Sequence, residues 1–98
     1  MNYEAMSDDE INYEVAKHSF DAGWLERHYG KEGMVPDYCN NWEDAGKVIF
    51  ENRISISFDQ DGIGTATGWS NGCAVGWCDK NPLLAAMVVF LMMKDVQK

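Results

Sequence analysis

Cys39, Cys73, Cys78, His18 and His28 are the side chains best equipped for metal or nucleophile chemistry in this sequence. A zinc site gathers four N or S ligands, usually as pairs from short spacers such as C-x-x-C or H-x-x-x-H. Neither spacer occurs here. A cysteine nucleophile needs a base within hydrogen-bonding reach, and nothing local sets either histidine beside a thiol. The expectation is free, reduced thiols, with no metal and no cofactor. "GIGTATG", residues 62–68, loosely matches the glycine spacing of a phosphate loop. Such a loop joins a strand to a helix N-terminus, whereas strand signals lie on both sides of this one. Asp59 and Asp61 in "DQDG" read as turn formers rather than as an acid/base pair. No enzyme signature emerges, and a non-enzymatic protein is expected.

Charge is the stronger signal. Residues 1–44 hold eleven acids and three bases, a balance of −8, while residues 45–98 hold five of each. A field of one sign repels nucleic acid and attracts basic surfaces. Direct DNA or RNA binding is disfavoured, because no basic patch exists to release counterions. A protein partner with a basic surface fits better. Asp8, Asp9, Glu10 and Glu14 are the candidate contacts, covering, in one version, a basic nucleic-acid site.

A second reading belongs to a different class. Trp69 and Trp77 could stack on a nucleotide base while Gly62, Gly64 and Gly68 admit its phosphates, making a small-molecule sequestering protein, expected to be oligomeric. It requires Lys80 and Arg53 to converge. Four tryptophans (Trp24, Trp42, Trp69, Trp77) exceed what a small core usually demands, so one or two at the surface would serve as interface anchors.

The elements that must position these residues follow from periodicity. "SDDE", 7–10, is a capping box in which Ser7 and Glu10 satisfy each other's amides. Ile11, Val15, His18, Ala22 and Leu25 continue one helical stripe, interrupted by Gly23, so a helix is expected over 8–19. Residues 29–41 carry loop chemistry: two glycines, Pro36 and paired asparagines. A second helix over 42–51 is capped by Asn41, buries Trp42, Ala45, Val48 and Ile49 on one face, and stops at a left-handed Asn52.

The period then changes to two. "RISISFD" alternates Ile54, Ile56 and Phe58 against serines, "IGTATGW" sets Gly64, Ala66 and Gly68 opposite Thr65, Thr67 and Trp69, and "CAVGWC" alternates again. Turns at Gly62 and at Asn71-Gly72 make the three strands an antiparallel meander. "NPLLAAMVVFLMM", 81–93, begins with an Asn cap and a Pro at the first helical position. Eleven apolar residues at ~1.5 Å each span about half a ~30 Å hydrocarbon core, so this is no membrane span. A helix apolar all round must be covered all round. The small-residue faces of the second and third strands would admit it, and the first two helices would cover its back.

The expected fold is therefore α+β: one domain over 1–98, a three-stranded antiparallel meander against two to three helices, with the C-terminal helix (about 82–94) as core. A homodimer seam along that helix is the rival arrangement. The opening "MNYEAMSDDE" lacks the basic and apolar regions of a secretory leader, which leads to a cytoplasmic expectation.

"MSDDEIN" (6–12), "DYCNNWEDAGKVIFENRISI" (37–56) and "DKNPLLAAMVVFLMM" (79–93) together resemble the NinX-like family of small lambdoid-phage proteins. The blocks Asp37–Asn41 and Lys80–Ala86 are the most specific, and residues 20–34 and 62–77 depart from the pattern. The resemblance implies a phage or prophage accessory gene expressed inside a bacterial host and leaves the activity open, counter-defence being one concrete version of the acidic-binder reading. It implies no catalytic residues.

Overall fold

The computed structural model describes residues 3–19, 35–70 and 72–96. After a 3-10 turn at Tyr3–Ala5 come helix α1 (Asp8–Ser19), helix α2 (Trp42–Glu51), strands β1 (Ser55–Phe58), β2 (Gly64–Ser70) and β3 (Cys73–Asp79), and helix α3 (Pro82–Val96). The strands form one antiparallel meander in the order β1-β2-β3. Helix α3 lies mainly over β2 and β3, and α1 and α2 pack against α3. The fold is α+β, as the sequence predicts. Ala22, Gly23, Trp24, Leu25, His28, Gly30, Gly33 and Asn71, which carry parts of the sequence reading, lie outside the described residues.

The apolar run is the interior. From Leu83 to Met93 every side chain of α3 is buried except Leu84 and Met92, which are half-buried. No open apolar face of α3 is left for a homodimer seam. The Asn81 carboxamide oxygen starts the helix by accepting from the amides of Leu83 (3.0 Å) and Leu84 (3.4 Å).

Close approach to the sheet depends on β2. A Cβ on Gly68 would lie 2.5 Å from Met93 Sδ and 3.0 Å from Val89 Cγ1, and one on Gly64 would lie 2.9 Å from Pro82 Cβ. In β3 the expected orientation is reversed. Ala74, Gly76 and Cys78 are exposed, while Val75 and Trp77 are half-buried and pack against the core. The register explains why: Val75 pairs with Gly68 and Trp77 with Ala66, so each bulky β3 residue fills space beside a small β2 residue.

Three further expectations need correction. Trp42 does not share the buried face of α2; Ala45 and Val48 do, and Trp42 is 59% exposed in the first turn. Asn52 is not left-handed (φ −103°). Its side-chain amide donates to Val48 O (2.8 Å), and Arg53 takes the positive φ of 53°. The buried face of β1 fades from Ile54 (6% exposed) through half-buried Ile56 to Phe58 (61%). β1 is an edge strand that α3 barely reaches, so its distal residues have no cover.

Local signals set the remaining joints. Ser7 Oγ accepts from the Glu10 amide (3.2 Å), and its hydroxyl also donates to Glu10 Oε1 (3.3 Å). The Glu10 carboxylate thus meets the Ser7 hydroxyl rather than the Ser7 amide. Asp59 Oδ1 accepts from the amides of Asp61 and Ile63, each at 2.9 Å, and Gly62 takes φ +81°. These aspartates build the turn, as expected. The Tyr3 hydroxyl donates to Asp95 Oδ2, and its ring meets Trp77 edge-on at 5.9 Å, which ties the N-terminus across to α3 and β3.

Candidate functional site

A polar junction forms where the N-terminal half of α1, residues 37–41 and the start of α3 meet. At its centre the peptide of Cys39 is held from both sides. Asn12 Oδ1 accepts the Cys39 amide (3.0 Å), and Asn81 Nδ2 donates to the Cys39 carbonyl (2.6 Å). The other ends of both asparagines are also engaged. Asn12 Nδ2 donates to Asp37 Oδ1 (2.9 Å), and Asn81 Oδ1 caps α3. Asn40 Nδ2 bridges the Asp37 carboxylate (3.2 Å) and Asp8 Oδ2 (3.3 Å), and Asp79 Oδ1 accepts the Asn81 amide (2.9 Å). Buried polar groups need such partners, since an unsatisfied one costs ~1–3 kcal/mol. Asn12, only 3% exposed, meets that requirement fully.

The junction concentrates negative charge. Burial pushes the Cys39 thiol up to about 12, with further contributions from Asp8, Asp37, Asp79 and Asp9. Cys39 is fully buried, whereas Cys73 and Cys78 are exposed. A colorimetric thiol titration near pH 8 should therefore count two fast-reacting thiols in the folded protein and a third only on unfolding. Because the folded-state value lies above the ordinary value of 9.0, this thiol favours the folded state fully below about pH 9. That contribution is lost as pH rises toward 12. Three rapidly reacting thiols in the native protein would contradict the burial.

The four acids read from α1 do not form one face. Glu10 and Glu14, four residues apart, are neighbours on the helix surface. Glu14 is also paired with Lys17 Nζ at 3.0 Å. Asp8 instead turns toward Asn40 and joins Asp37 and Asp79 about Cys39. The sequence reading counts Asp37 among the acids of residues 1–44 but names neither Asp37 nor Asp79 as a candidate contact. Their signal was present, because each opens one of the two polar blocks, D-Y-C-N-N and D-K-N-P.

The residues of the sequestering alternative are not brought together. Trp69 is exposed on the outer sheet face, and Trp77 packs on the α3 side. Gly64 and Gly68 are closed off by Pro82, Val89 and Met93, and Gly62 sits in an exposed turn. Lys80 and Arg53 do not converge either. Arg53 precedes the Ser55–Thr67 end of the sheet, and Lys80 follows the Asp79–Gly64 end.

A cleft of about 570 Å³ opens between α2 and the C-terminal part of α3, lined by Lys47 and Lys94 but also by Asp44 and Glu51. Among the described residues that line it the charges balance, so these give no single-sign lining that would select an anion. Among the described residues, no three of His, Cys, Asp and Glu are placed to hold a metal ion, and no helix is long and apolar enough to cross a membrane.

Residues 2–94 match the phage protein family described as Bacteriophage P22, NinX. The chain belongs to this family. No curated protein and no solved structure matches it. In this NinX-family chain the blocks 37–41 and 80–86, distant in sequence, meet at Cys39 through Asn81.

Proposed function

We propose that this NinX-family protein is a non-enzymatic phage accessory protein that binds a host or phage protein through its acidic surface, in the host cytoplasm. One observation carries the reading: the −8 balance of residues 1–44, reinforced by the grouping of Asp8, Asp9, Asp37 and Asp79. Such a surface complements a basic patch, accelerates encounter and excludes acidic competitors. A basic nucleic-acid site on a host defence protein is the concrete partner class, which makes counter-defence the matching role.

The test is capture from phage-infected cells by the tagged chain. Asp8→Asn, Asp9→Asn, Glu10→Gln and Glu14→Gln combined should weaken retention of the partner and its salt dependence. The changes at Asp8, Asp9 and Glu10 also remove first-turn charges that favour the helix N-terminus, at about 0.3–1 kcal/mol each, so far-UV circular dichroism must confirm the fold. A folded variant that retains the same partner as strongly as the parent refutes the reading.

A further inference from the structure

Among the described residues, Phe50 (84%) and Phe58 (61%) are two of the most exposed aromatic side chains; they flank β1, and no further described strand pairs with its outer edge. Soluble proteins usually guard such an edge with lysine, proline or a bulge. β1 reads Ser-Ile-Ser-Phe and has none of these. Which backbone groups the edge presents follows from the ladder. The Asp59 amide donates to Ile63 O at 3.1 Å, continuing the register that pairs Ser57 with Thr65. Hydrogen-bonded pairs alternate along an antiparallel ladder. Ser55 and Ser57 therefore turn their backbone groups to β2, while Ile56 and Phe58 turn theirs outward. Ile54 agrees, since its amide donates to Ile49 O (3.0 Å), away from β2.

We propose that two copies of this chain pair antiparallel through β1, with Ile56 on the twofold axis, to make one six-stranded sheet. With the axis there, Ile56 exchanges N–H and C=O with its twin, and the Phe58 amide meets the Ile54 carbonyl of the second copy. An axis at Ser55 or Ser57 would call on backbone groups already spent on β2. The pairing is isologous, so each contact across the seam occurs twice. The same register sets Ile54 opposite Phe58 of the second copy. Ile54 and Phe50 line the same groove beside β1, so both exposed aromatics gain cover at the seam. Hydrogen bonding excludes the serine axes, and apolar cover favours the one at Ile56.

Analytical ultracentrifugation of the full chain, from low micromolar to near-millimolar concentration, tests the pairing. The mass should rise with concentration toward twice the 11.1 kDa chain. Phe58→Lys aims a charge at Ile54 of the second copy. Ile56→Pro deletes an amide that β2 does not use, a change edge strands tolerate. Each should hold the protein at monomer mass with its circular dichroism unchanged. Register is tested by Ile56→Cys on a background carrying Cys73→Ser and Cys78→Ser. Facing positions about 5.5 Å apart fall within disulfide range. Mild oxidation should link Ile56→Cys into covalent dimers and leave Ser57→Cys in the same background unlinked. A monomer at every concentration overturns the proposal. So does a dimer that ignores Phe58→Lys and is not linked through Ile56→Cys.

Discussion

Met87→Ala should lower the unfolding free energy by about 2–5 kcal/mol, the range for removing a large buried side chain and leaving a cavity. Met87 has no exposed surface and sits midway along α3, a helix covered by the sheet, α1 and α2. Little collapse is available there, because the neighbours Ala85, Ala86 and Val89 are fully buried too. For a domain whose total stability is about 5–15 kcal/mol, the loss is a large fraction of the whole. Met87→Leu, which nearly conserves volume, should cost less than about 1.5 kcal/mol. Leu84→Ala, at a half-buried position of the same helix, should fall below Met87→Ala. Urea midpoints with unchanged slopes provide the comparison. Equal costs at Met87 and Leu84 would contradict the account of α3 as an enclosed core.

Asn81→Ala should cost about 2–4 kcal/mol, because one side chain serves two elements. Its oxygen caps α3, a role worth ~0.5–2 kcal/mol. Its amide supplies the Cys39 carbonyl, and a buried acceptor left without a donor costs ~1–3 kcal/mol. Asn81→Asp separates the roles. The aspartate keeps the capping oxygen but loses the donor, and it adds a carboxylate to the surroundings of Asp8, Asp37 and Asp79. Screening shortens the Debye length from about 10 Å at 0.1 M salt to about 3 Å at 1 M. The cost of Asn81→Asp should therefore shrink with added salt, whereas that of Asn81→Ala should not. Denaturation curves at the two salt levels distinguish them. Matching salt responses would remove the electrostatic account of this junction.

Features that depend on a few neighbouring residues were legible in the sequence. The capping serine and the Ile11/Val15 stripe located α1, Asn41 located α2, and Asn81-Pro82 located the start of α3. Strand alternation located the meander. It could not tell which face of β3 points inward, because alternation is symmetric until a neighbouring strand's register breaks the tie. Gly68 beside Val75 breaks it. Asn12 illustrates a second limit. A polar residue one position past Ile11 reads as solvated, and only the arrival of Cys39 twenty-seven residues later makes its burial favourable. Of the acidic surface, the half of the chain that carries it was visible, but the company of Asp37 and Asp79 required tertiary contact. The exposure of Phe58 depended on how far α3 extends across the sheet.

Native mass spectrometry of the chain purified gently from phage-infected cells, at low and at high salt, tests the central claim most directly. The account predicts a co-purifying basic protein at low salt, lost at high salt and held more weakly when Asp8, Asp9, Glu10 and Glu14 are neutralised. A partner held equally by parent and neutralised variant at both salt levels would contradict it.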